Sequence, residues 1–196
     1  HRVVAWGEAG FGGDSSAVQA ELKDQVVQQL YSNGYAFVAV LGNGRLVTWG
    51  SVYCGGDSTA VQPELKDQEI QQIYSNSRAF AVVLGNGRVV TWGHPDRGGD
   101  SSVVQDQFKD QVVQQIYSTS RAFAAVLGNG RVVTWGEADA GGDSSAVQDQ
   151  LKDQVVQKIY STGYAFAAVL GNGRVVTWGH ADRGGDSSAV QGQLKD

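Results

Sequence analysis

Apolar and polar positions follow two rhythms along this chain. Val112-Val113-Gln114-Gln115-Ile116-Tyr117-Ser118 alternates in part and is rich in β-branched and aromatic residues, which predicts a strand. Ala122 to Leu127 is a short continuous apolar run, too short for a helix and long enough for a buried strand. Gly128-Asn129-Gly130 follows, and Asn-Gly between two apolar runs predicts a hairpin in which both residues tolerate positive φ. Arg131 to Trp135 is the return strand, and Gly141-Gly142-Asp143 forces a turn. Ser144 to Leu151 fits either one capped helical turn or a short edge strand around Ala146 to Gln148, and the edge strand is preferred.

The same pattern recurs without insertion or deletion. Trp6, Trp49, Trp92, Trp135 and Trp178 are spaced at a constant 43 residues, and so are the glycines that open Gly-Gly-Asp-Ser at Gly12, Gly55, Gly98, Gly141 and Gly184. The chain divides into a partial unit, 1–24, and full units 25–67, 68–110, 111–153 and 154–196, read as a single repeat array. Three or four short antiparallel strands repeated at this length predict an all-β chain of propeller blades. One blade cannot bury both faces alone, and stacking beside its neighbours does so. A β-helix coil is usually much shorter, and a helical solenoid needs two long amphipathic periods that are absent here. Both ends fall inside the repeat pattern, so neither reads as a natural terminus.

Ala124-Ala125-Val126-Leu127-Gly128-Asn129-Gly130-Arg131-Val132-Val133-Thr134-Trp135-Gly136, the Gly141-Gly142 turn, and Val155 and Ile159 on the next strand resemble the repeat of the regulator-of-chromosome-condensation family. The resemblance covers essentially the whole chain, and the wording of the units looks most like arrays in microalgal proteins resembling HECT-type ubiquitin ligases. Family blades are commonly longer, and a His-Thr pair often stands where this chain has Ala122-Phe123. The resemblance implies a seven-bladed ring of roughly 300 residues. This chain then reads as an arc of a larger ring.

Composition narrows the function. A net charge of −5 and a pI near 5.1 argue against nucleic acid and anionic membranes as partners. No apolar run is long enough for a membrane-spanning helix. A single cysteine, Cys54, rules out an internal disulfide and tilts the compartment towards a reducing one.

Candidate chemistry has a simpler account at each place. Cys54 sits at an offset where other copies carry Phe11, Arg97, Ala140 and Arg183, with no histidine or asparagine beside it in a catalytic pattern. His94 and His180 follow Trp-Gly and read as exposed loop residues rather than metal ligands. Asp14, Asp57, Asp100, Asp143 and Asp186 offer one carboxylate per glycine-rich loop, which suits turn chemistry better than a calcium loop. Gly42-Asn43-Gly44 leads into a strand, so it is no phosphate cradle. The recurrent tryptophans, with Tyr31, Tyr74, Tyr117 and Tyr160, read as packing between blades rather than a ligand ring. No catalytic residue, cofactor or metal is expected.

Variation between copies carries the remaining signal. After each Trp-Gly the loop changes: Glu8 to Phe11, Ser51 to Cys54, His94 to Arg97, Glu137 to Ala140 and His180 to Arg183. A second spot reads Gly34-Tyr35, Ser77-Arg78, Ser120-Arg121 and Gly163-Tyr164. A third reads Ala20-Glu21, Pro63-Glu64, Asp106-Gln107, Asp149-Gln150 and Gly192-Gln193. Fixed strands with changing loops are how binding surfaces are built, although neutral drift after duplication gives the same pattern. On the first reading, Tyr35, Arg78, Arg121, Tyr164, Phe11, Tyr53, Arg97 and Arg183 are the candidate partner-binding residues, because Arg and aromatic side chains dominate interface hot spots.

The expected function is a non-enzymatic scaffold for protein partners, either a structural subunit or the recognition arm of a larger assembly. The family resemblance offers a guanine-nucleotide exchange factor for a small GTPase as the alternative. In that family exchange depends on inserted loops, and no unit here contains one. A carbohydrate- or metal-binding repeat is the third class.

Overall fold

The computed structural model describes residues 3–193; the outermost residues of the first partial unit and of the last full unit lie outside the described residues. The chain folds as two compact units, one ending at Asp100 and the other starting at Ser101. The first holds β1 (Val27–Ser32), β2 (Ala36–Leu41) and β3 (Leu46–Gly50) in one sheet, and β4 (Ile70–Ser75), β5 (Ala79–Leu84) and β6 (Val89–Gly93) in another. The second holds β7 (Val113–Ser118), β8 (Ala122–Leu127) and β9 (Val132–Gly136), then β10 (Val156–Ser161), β11 (Ala165–Leu170) and β12 (Val175–Gly179). Every sheet is antiparallel, in sequential order, and lies within one 43-residue repeat, as the all-β blade pattern predicts.

The middle strands explain the continuous apolar runs. Side chains alternate across a strand, and both faces of β5 and β8 are buried from end to end. In the first unit Ala36, Val38, Val40 and Leu46 of one sheet pack against Ile73, Phe80, Val82, Val90 and Trp92 of the next. In the second, Ala122, Ala124, Val126 and Val132 meet Ile159, Phe166, Ala168, Val176 and Trp178. The broken alternation of the first strand also has a cause. Register slips between Val27 and Gln29, and likewise between Val113 and Gln115, so one residue of each Gln-Gln pair is a β-bulge.

Within each unit, tryptophan ties one repeat to the one before it. Trp49 stacks on Phe37, its cross-strand partner, at 5.3 Å, and its indole N–H donates to the Gly12 carbonyl at 3.1 Å. Trp92 donates to Gly55 at 3.0 Å and Trp178 to Gly141 at 3.1 Å. The glycines are sterically required. Gly55 has φ +100°, and a Cβ there would stand 2.6 Å from the Phe80 ring; on Gly56 it would stand 2.4 Å from the Gly50 carbonyl oxygen.

Two local expectations are corrected. In the hairpins only the second glycine, such as Gly44 at φ +81°, is left-handed; Asn43 is not. Leu41 N–H donates to Arg45 and Gly44 N–H to Leu41, both at 2.9 Å, the arrangement of a turn closed by a left-handed glycine bulge. Asn43 instead accepts the Arg45 N–H through its side chain at 3.0 Å. The preferred edge strand around Ala146 to Gln148 is absent. A 3-10 turn, Ser145–Val147, runs into the short helix α4 (Gln148–Leu151), as at α1 (Gln19–Leu22) and α3 (Gln105–Phe108), while a plain turn precedes α2 (Gln62–Leu65).

Side chains decide that outcome. Asp143 Oδ1 accepts the Ser145 N–H at 2.8 Å and starts the turn. Ser144 Oγ, buried, contacts Thr134 Oγ1 at 2.9 Å and accepts from Gln148 Nε2 at 2.8 Å. The same Gln148 amide donates to the Val132 carbonyl at 3.0 Å. One glutamine therefore occupies an edge carbonyl that a fourth strand would have used, and Leu151 closes over the core. The chain then leaves through Asp24, Asp67, Asp110 and Asp153, all left-handed at φ +57° to +59°. Aspartate is among the few non-glycine residues that tolerate this region.

Two outcomes follow. Gly55→Ala forces a left-handed alanine against Phe80 and is expected to cost about 2–5 kcal/mol in urea unfolding, whereas an unchanged urea midpoint would contradict the packing described. The turn aspartates give an acid dependence. The Thr59 hydroxyl and backbone N–H hold the Asp57 carboxyl below its ordinary range. The Ser145 backbone N–H, then its hydroxyl, does the same for Asp143. A carboxyl depressed in the folded state stabilises above its unfolded pKa, about 3.9, and that stability is lost as pH falls through the lower folded value. The urea midpoint should fall as the pH drops below about 4, and fall less in Asp57→Asn with Asp143→Asn, whose amide oxygens accept without titrating.

Candidate functional site

The turn between the first two strands of a blade and the loop after its third strand lie at one end of the sheet. They are bonded together. In the first unit Ser51 N–H donates to the Tyr35 carbonyl at 2.8 Å, and His94 N–H to the Arg78 carbonyl at 2.9 Å. Asn33 Nδ2 reaches the Cys54 carbonyl at 2.8 Å and Asn76 Nδ2 the Arg97 carbonyl at 2.6 Å, while each asparagine oxygen accepts two backbone N–H groups of its own turn. In the second unit Thr119 and Thr162 take this place, donating to the Ala140 and Arg183 carbonyls at 2.9 and 3.2 Å. The first two varied spots thus form one rigid end of each blade. This Asn/Thr clamp was not singled out from the sequence; its signal is the polar residue that recurs two positions before Tyr35, Arg78, Arg121 and Tyr164.

The predicted residues are brought together in part. In the first unit the Arg78 guanidinium lies over the Tyr35 ring at 5.2 Å, and Phe11 meets the other side of this cluster edge-to-face with Tyr35 at 5.0 Å. Tyr53 stands apart, 82 % exposed, at the tip of its loop. Arg97 is half-buried beside its own clamp. In the second unit Arg121 and Arg183 both lie over the Tyr164 ring, at 5.0 and 4.3 Å. Arg121 also forms an ion pair with Glu137 at 2.8 Å. Glu137 and His180, whose ring meets Tyr164 edge-on at 6.4 Å, belong to this cluster and were not among the predicted residues.

Tyr and Arg at the second spot are therefore partners across neighbouring turns, Tyr35 with Arg78 and Arg121 with Tyr164. Such stacks use the negative face of the ring to hold a cation. Part of the variation between copies is explained by these contacts.

The other candidates fall elsewhere. The third varied spot is at the opposite end of the blade, where Glu21 accepts from Arg45 at 3.1 Å, Glu64 pairs with Arg88, and Gln107 accepts from Arg131 at 3.2 Å. Cys54 is buried under its loop. His94 and His180 are half-buried rather than exposed, and the Nδ1 atom of each is shielded from solvent without a hydrogen-bond partner. The loop aspartates spend a carboxylate oxygen on their own turns, as Asp14 and Asp186 do on the Ser16 and Ser188 N–H groups at 2.8 Å. Among the described residues, no group of three or more His, Cys, Asp or Glu side chains converges as metal ligands would.

No family model and no curated relative matches the chain. Solved structures do. The chain is similar to the ectodomain of the receptor kinase CR4 from Physcomitrella patens (16% identity, TM-score 0.55, covering 88% of this chain and 45% of that one). It is similar to yeast RCC1, Prp20, in its complex with Kap60 (18%, 0.55, 89% and 51%), and to Prp20p of Saccharomyces cerevisiae (17%, 0.56, 89% and 52%). The chain spans about half the length of these structures. Four tandem three-stranded sheets and these likenesses give the chain an RCC1-like β-propeller fold.

Proposed function

We propose that this chain is a non-enzymatic protein-interaction scaffold and that its partner binds the loop end of the blades. The reading treats residues 1–196 as a single array of the regulator-of-chromosome-condensation repeat type, serving as a structural subunit or recognition arm. The observation that carries it is the rigid end built from the two varied spots. Near-identical strands hold Phe11, Tyr35, Tyr53, Arg78 and Arg97 in the first unit and Arg121, Tyr164 and Arg183 in the second. Aromatic and arginine side chains on a fixed support lose little entropy when they bind. The propeller neighbours favour protein partners in general: yeast Prp20 is described with Kap60 in one structure and by its binding to Gsp1p and histones in another.

Guanine-nucleotide exchange on a small GTPase remains the second reading, favoured by the likeness to Prp20. Against it stands the uninterrupted 43-residue spacing, which leaves no inserted loop in any unit. A carbohydrate- or metal-binding role in the Gly-Gly-Asp turns has less support, because those carboxylates already hold the turns.

Partner capture by the immobilised chain tests the proposal. Arg78→Ala with Arg121→Ala should reduce capture by roughly tenfold, the effect of losing about 1.4 kcal/mol, while Arg45→Ala with Arg174→Ala at the opposite end should leave it unchanged. Equal losses from both pairs would remove the loop end as the interface. Release of labelled GDP from a panel of small GTPases should not accelerate at micromolar chain; acceleration would replace the scaffold reading with exchange.

A further inference from the structure

Resting on the loop-end interface, we propose that each unit by itself takes an acidic peptide segment of a partner, whose carboxylate pairs with Arg78 in the first unit or with Arg183 in the second. Five other arginines find an acceptor oxygen within the chain. Arg45 and Arg88 are paired with Glu21 and Glu64, and Arg121 with Glu137. Arg131 and Arg174 donate to the side-chain oxygens of Gln107 and Gln150. Each of these guanidinium groups has an acceptor from the chain itself.

Arg78 and Arg183 differ. Among the described residues neither side chain donates to a carboxylate or to any other oxygen, yet both are held in place. The Cζ atoms of Arg78 and Arg183 lie over the Tyr35 and Tyr164 rings, 5.2 and 4.3 Å from the ring centroids. A ring face holds the cation without offering an acceptor oxygen, so the pairing capacity of the guanidinium N–H fork is not used by the ring. That fork matches a carboxylate in bidentate geometry, which a lysine ammonium cannot reproduce. A tyrosine under the cation also removes much of the rotamer freedom that an exposed ion pair ordinarily loses.

The arrangement occurs once in each unit, at the same end of the blades. Backbone bonds from His94 to Arg78 and from His180 to Tyr164 fix the turns beneath it. The third stacked arginine, Arg121, supplies an internal comparison: it lies over the same Tyr164 ring as Arg183, but Glu137 already neutralises it. The chain as a whole carries a net charge of −5. Recognition of an acidic segment therefore rests on short-range pairing at these two forks and not on long-range attraction.

The probe is a fluorescein-labelled peptide of alternating Glu and Gly, titrated by anisotropy into the full chain. A neutral Gln-Gly peptide and a phosphoserine-Gly peptide are run beside it. Saturable binding of the Glu peptide is expected, with none of the Gln peptide. Arg78→Ala with Arg183→Ala should weaken it at least tenfold, Arg78→Lys with Arg183→Lys about threefold, and Arg45→Ala not at all. No binding of the Glu peptide, or binding indifferent to Arg78→Ala with Arg183→Ala, overturns the proposal. A phosphoserine peptide bound tenfold more tightly than the Glu peptide also overturns it, in favour of a phosphorylated partner. If partner capture depends on the loop end while the Glu peptide fails to bind, the interface stands and the acidic partner falls. If capture ignores the loop end, both fall.

Discussion

The bond from the Trp49, Trp92 and Trp178 indoles to a glycine carbonyl of the preceding repeat is the contact on which the rest depends. Trp49, Trp92 and Trp178 are nearly solvent-free, and a buried N–H without an acceptor would cost more than the bond gains. The acceptor must come from backbone that approaches the Phe–Trp stack closely. Only glycine allows this, since a Cβ on Gly12, Gly55 or Gly141 would run into the phenylalanine ring. Trp-Gly, Gly-Gly and Ala-Phe are thus parts of one contact made by two successive repeats.

Once that contact is in place, the two ends of a blade are free to diverge. At the hairpin end, arginine and the Glu or Gln of the helical turn satisfy one another within the chain. At the loop end, polar demand is met by backbone and by the Asn/Thr clamp, which leaves aromatic and guanidinium groups presented outward. The clamp bonds to backbone carbonyls, so the identity of the loop side chains has little effect on it. This is why the loop can read Val-Tyr-Cys in one copy and Pro-Asp-Arg in another on the same support.

The edge of each blade shows how a side chain can take over a backbone task. Gln19, Gln62, Gln148 and Gln191 each donate to a carbonyl of the third-strand segment sixteen residues earlier. A glutamine here does what a fourth strand would do, and it leaves that segment less open to pairing with other chains.

The 43-residue period, the strand positions, the hairpin sites and the role of tryptophan as packing were all determined by the sequence alone. Each depends on local signals: side-chain alternation, Asn-Gly, Gly-Gly and exact recurrence. Tertiary structure decided the remainder. Helix replaced edge strand because Gln148 reaches Val132 and Ser144 reaches Thr134, bonds that no window of neighbouring residues contains. Asn43 kept its ordinary φ because Gly44 alone supplies the left-handed step. His94 and His180 became half-buried because each is tied by its backbone to a turn about sixteen residues earlier. The candidate site follows the same rule. Its residue types were legible as variation, but the stacking of Arg78 on Tyr35 and of Arg183 on Tyr164, and the ion pair that neutralises Arg121, arise from contacts between distant turns that only the folded backbone brings together.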